Sequence, residues 1–68
     1  MEFELEGQEY IELIKLLKFM NLVGSGGEAK MVVDQGEVVV NGENESRKRR
    51  KLIKGDIVEF AGETIEII

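Results

Sequence analysis

The sequence predicts an α+β fold: two helices packed on a small antiparallel sheet. Three observations lead there. Apolar residues alternate with polar ones at the start, recur at spacings of three and four in the middle, and alternate again at the end. Glycine and asparagine punctuate the chain where these periods change. With 68 residues there is room for one hydrophobic core, and so for a single domain spanning residues 1–68.

The elements follow in order. "EFELE", residues 2–6, alternates apolar and acidic positions, with Phe3 and Leu5 on one face, and reads as a half-buried strand that Gly7 ends. "EYIELIKLLKFM", residues 9–20, switches to helical spacing. Tyr10, Leu13, Ile14, Leu17 and Met20 form one apolar stripe, and Glu12, Lys15 and Lys18 lie towards the opposite side. This helix ends between Asn21 and Gly24. Ser25, with Glu28 three residues later, fits a capping box at the start of a second helix over residues 26–35. Gly36 suits the left-handed position that closes it. "EVVV" is a strand, and Asn41-Gly42 is a type I′ hairpin signal. Gly55-Asp56 marks another turn. Ile57, Val58 and Phe60 then form one strand and Ile65, Ile67 and Ile68 another, joined near Ala61-Gly62.

Composition excludes several classes of function. The chain has no cysteine and no histidine, which removes disulfides, thiolate metal sites and histidine-based catalysis. The carboxylates are scattered, and so small a domain rarely builds the cleft that a catalytic pair needs. The chain is expected not to be an enzyme, to hold no metal or cofactor and to take no small-molecule substrate. No apolar run is long enough to span a membrane, and the acidic, alternating start is unlike a signal peptide, so a cytoplasmic protein without a membrane partner is expected.

Charge is the informative feature. The formal net charge is −5, yet "SRKRRKL", residues 46–52, holds five consecutive bases, Arg47, Lys48, Arg49, Arg50 and Lys51. Adjacent like charges repel, so such a run inside a small fold points to an anionic partner rather than to a solvated loop. Phosphate is the natural ligand of clustered arginines. A nuclear localisation signal has the same composition, but this run is embedded between strand segments. "GSGGEAK" supplies a second candidate. Ser25, Gly26 and Gly27 open a helix whose free N–H groups favour an anion, and Lys30 adds a charge one turn later. The stretch lacks the Gly-Lys-Ser/Thr ending of a P-loop, so nucleotide hydrolysis is not implied. Lys15, Lys18 and Lys54 are secondary candidates. The aromatic residues are few, and Phe3, Tyr10 and Phe60 fit core faces, which speaks against a base-stacking platform.

The order of motifs resembles the S-four (αL) RNA-binding domain. The residues that carry the resemblance are "SGGEAKMVVDQGEVVVNGE" at 25–43, the basic segment, and "LIKGDIVEF" at 52–60. Ser25, Ala29, Lys30, Gly36, Val38, Val40, Asn41, Gly42, Gly55 and Asp56 occupy the pattern positions. The whole chain is similar to small stand-alone bacterial proteins of this type. The resemblance implies a non-catalytic module for structured RNA of the ribosomal or transfer RNA class. It points to Ser25, Gly26, Gly27, Lys30 and Arg47 to Lys51 as the RNA face. One departure is Gly26, where larger members often carry arginine, so any contact there is left to the backbone. The competing expectation is a protein–protein adaptor whose basic loop docks an acidic partner, such as one associated with the ribosome. The acidic first strand, set at a sheet edge, discourages pairing with a second copy, and a monomer is expected.

Overall fold

The structure, a computed structural model, describes residues 1–68. Its elements are β1 (Glu2–Phe3), β2 (Ile11–Glu12), α1 (Leu13–Phe19), α2 (Gly26–Asp34), β3 (Val39–Val40), β4 (Glu43–Asn44), β5 (Lys51–Leu52), β6 (Ile57–Phe60) and β7 (Glu63–Ile67). Five strands form one sheet in the order β1-β7-β6-β3-β4, and β2 pairs with β5 in a separate two-stranded ribbon. The α+β expectation holds, with one refinement. β1 runs parallel to β7, with Phe3 opposite Ile67, so the sheet is mixed. β1 lies at the sheet edge beside the last strand of the chain, while every other pairing in the sheet is antiparallel, and no local signal announces this.

Strand alternation sets the buried face. Val58 and Phe60 of β6 and Ile65 and Ile67 of β7 point into the core, while Glu59, Thr64 and Glu66 face solvent. Leu13, Leu16 and Leu17 of α1 and Ala29, Val32 and Val33 of α2 cover that face. Leu52 of β5, Val38, Val40, Leu5 and Val23 complete the cluster, and Leu52 and Val38 are fully buried. Burying such aliphatic side chains supplies about 1.5–3 kcal/mol each and is the main force holding so short a chain together.

Helix α1 starts later than the periodicity predicts. Tyr10, Ile11 and Glu12 lie outside it, and Ile11 and Glu12 pair with Leu52 and Lys51. The reason is a competing set of acceptors. The N–H groups of Leu13 and Ile14 donate to the carbonyls of Arg50 (2.9 Å) and Lys48 (3.2 Å), so the basic segment satisfies the free end of α1. Tyr10 is consequently not a core residue and remains 38% exposed.

Both helices end in the same device. Asn21 (φ 58°) and Gly36 (φ 73°) take the left-handed conformation. Leu22 N–H then donates to Leu17 and Asn21 N–H to Lys18, and the pattern repeats from Glu37 to Val32 and from Gly36 to Val33. At the start of α2, Glu28 N–H donates to Ser25 Oγ (3.1 Å) as the capping box requires. The return bond is displaced by one residue: Gly24 N–H, not Ser25 N–H, donates to Glu28 Oε1 (2.7 Å).

Asn41 and Asp56, distant in sequence, hold two turns together. Ile57 N–H donates to Asn41 Oδ1 (2.9 Å), Asn41 Nδ2 donates to Asp56 Oδ1 (3.0 Å), and Ile53 N–H donates to Asp56 Oδ2 (2.8 Å). The Asn-Gly and Gly-Asp motifs are thus one structural unit that fixes where β6 leaves and where the basic segment must end.

Candidate nucleic-acid interface

Residues 46–50 are not an extended strand; only Lys51 and Leu52, in β5, are. Arg50 N–H donates to the Arg47 carbonyl (3.2 Å), which folds Arg47 to Arg50 into a turn. Arg47, Arg49, Arg50 and Lys51 together line one open hollow of about 520 Å³, with no apolar residue in its wall.

The turn is held by Glu45, which is only 5% exposed. Its carboxylate accepts from Arg47 Nε (3.0 Å), Arg47 Nη2 (3.0 Å), Arg47 N–H (2.8 Å) and Arg50 Nη1 (2.7 Å). The side-chain hydrogen bonds from Arg47 hold this carboxyl down at about 2, from an ordinary 4.5; burial opposes them and Arg50 adds to them. The same hydrogen bonds push the Arg47 guanidinium up. Both arginines are thereby fixed before any ligand arrives. Four cations line the hollow, and Glu45 pairs with only two of them, so the hollow keeps a positive surplus. Nothing in the sequence marked Glu45, since one Glu among fourteen acids carries no sign of burial.

The other bases are disposed differently. Lys48 turns away and pairs with Asp34 at the end of α2 (3.1 Å). Lys51 places its ammonium 4.9 Å from the centre of the Tyr10 ring. Arg49 is exposed and makes no ion pair or side-chain hydrogen bond, so it is the base most available to a ligand. Lys15 pairs with Glu12 at 3.7 Å. Lys54 borders a separate hollow with Glu4, Glu6 and Glu9, away from the arginines.

Ser25, Gly26 and Gly27 do not line the arginine hollow. The basic segment touches the start of α1 and, through Lys48 and Asp34, the end of α2. The start of α2 is the opposite end of that helix, about 13 Å along its axis from the end that Lys48 touches. Lys30 lies between the two, one turn before Asp34 on the same face. Gly26 and Gly27 have no positive φ and no protein atom crowding the place of a side chain, so neither is demanded by the fold. Lys18 sits in the last turn of α1, at the far end from the hollow.

The model of the family described as "S4 domain" matches residues 3–68. The chain belongs to the S4 domain family. Named relatives agree. "Putative RNA-binding protein YbcJ" of Escherichia coli (strain K12) is 38% identical over 66 residues, covering 97% of this S4 domain and 94% of the relative. "Probable ribosome maturation protein RlbA" of Bacillus subtilis (strain 168) is 44% identical over 54 residues, covering 79% and 76% of the two chains. The solution structure of E. coli YbcJ, described as revealing an alfaL motif involved in RNA-binding, superposes with a TM-score of 0.75 at 37% identity, over 98% of this S4 domain and 85% of that chain. The αL arrangement expected from the motifs is therefore the observed fold. No helix is long and apolar enough to cross a membrane.

Proposed function

We propose that this S4 domain is a non-catalytic RNA-binding module that grips structured RNA, of the ribosomal or transfer RNA class, through its phosphates. One observation carries the reading. Four cationic side chains line a single hollow, and two of them are pre-set by a buried carboxylate. Pre-set arginine forks bind phosphate at low entropic cost, because little side-chain freedom is left to lose. The family membership and the RNA-binding description of YbcJ support the same reading. Lys30 and the N–H groups near Ser25 provide a second, weaker contact one helix length away. The acidic remainder repels phosphate and confines RNA to the arginine side. The 68 residues act as one monomeric unit in the cytoplasm and deliver no chemistry of their own.

Arg49 is the residue on which to test this, because its removal breaks no internal contact. Titrating a labelled structured RNA at several salt concentrations should give a steep loss of affinity with salt. In Arg49→Ala the slope should become shallower by about one unit, the loss expected for one phosphate contact. Identical slopes would place the phosphate contacts elsewhere.

A further inference from the structure

Next to the arginine hollow lies a second one, of about 300 Å³, lined by Gln8, Tyr10, Ile11, Glu12 and Lys15. The two adjoin through Lys51, which lines the first and lies over the ring of Tyr10 in the second. The chemistry of the second hollow is unlike that of the first. It offers one aromatic ring, one aliphatic side chain, an amide, a carboxylate and the ammonium of Lys15. The Glu12 side chain is only 22% exposed, yet its carboxylate accepts no hydrogen bond; its one partner is Lys15, at 3.7 Å. The backbone of Glu12 is held by its pairing with Lys51, and its side chain lines the same hollow as Tyr10.

We infer that this hollow takes one unpaired guanine of the bound RNA, stacked against Tyr10 with its Watson–Crick edge on Glu12. This deepens the RNA-binding reading and rests on it. Single-stranded bases are recognised by stacking on aromatic rings and by hydrogen bonds to their exposed edges. Guanine presents two adjacent donors, N1–H and the N2 amine, which match the two oxygens of a carboxylate. Adenine presents an acceptor at N1, which a carboxylate repels. Lys51, which lines the arginine hollow and lies over one face of the Tyr10 ring, is placed to meet the phosphate of the same nucleotide, and the base takes the other face. The S4 domain then recognises a bulge or loop beside a helix and not a plain duplex.

The test compares an RNA duplex of about 20 base pairs with the same duplex carrying one bulged guanosine or one bulged adenosine. The wild type should prefer the guanosine bulge over the plain duplex by about tenfold, within the range of a single base–aromatic stack. Tyr10→Leu should abolish that preference, so that the bulged and plain duplexes are bound alike. Glu12→Gln should erase discrimination between guanosine and adenosine. Arg49→Ala should weaken all three RNAs alike. Tyr10 is the sole tyrosine, so labelling its ring gives one reporter signal that should shift with the guanosine bulge and not with the duplex. Equal affinity of the wild type for all three RNAs, or a preference that survives Tyr10→Leu, overturns the base site while leaving the phosphate reading intact. Absence of binding to any of the three overturns both.

Discussion

Glu45→Gln is expected to lower stability at pH 7 by about 2 kcal/mol. The depression of the Glu45 carboxyl from 4.5 to about 2 corresponds to about 3 kcal/mol of linkage. Water around Arg47, whose side chain is 70% exposed, screens part of this, which brings the expected loss to about 2 kcal/mol. Because the folded-state value is the lower one, the stabilisation is complete above about pH 4.5 and disappears as the pH falls towards 2. The gap between wild type and Glu45→Gln, measured by urea unfolding, should therefore be widest near neutrality and close towards pH 2. A gap that stays constant with pH would mean that Glu45 acts through packing and not through its charge. The same substitution frees Arg47 and Arg50, and RNA affinity should fall even though the hollow becomes more positive by one charge.

Leu52→Ala is expected to cost about 3 kcal/mol, within the 2–5 kcal/mol typical of a leucine truncated in a packed core. Leu52 is fully buried and is the only core residue contributed by β5. It anchors the C-terminal end of the basic turn as Glu45 anchors the N-terminal end. In a chain of 68 residues a loss of this size removes a large share of the total. Thermal unfolding should show a large drop in Tm. A variant that keeps most of its Tm would show that the ribbon of β2 and β5 is peripheral to the core.

These two anchors also explain what the sequence did and did not disclose. Periodicity located both helices and strands β6 and β7 because burial follows the period directly there, as with Val58, Phe60, Ile65 and Ile67. The glycine and asparagine turns were legible for the same local reason. The parallel pairing of β1 and the late start of α1 were not, since both depend on partners far along the chain. At the site, composition identified the arginines but could not distinguish among them. Their partners decide that: Glu45 for Arg47 and Arg50, Asp34 for Lys48, Tyr10 for Lys51 and none for Arg49. Tyr10 was assigned to the core because its spacing fits a helix that begins three residues after it.

The central claim is that the arginine hollow is the surface that meets RNA. Amide resonances of the nitrogen-labelled protein, followed during titration with a structured RNA hairpin, test it most directly. The largest shifts should fall on Arg47 to Lys51 and on Ile11 and Glu12, with the acidic stretch from Glu4 to Glu9 unmoved. Shifts centred on that acidic stretch, or on Ser25 to Lys30 with the hollow unchanged, would contradict it.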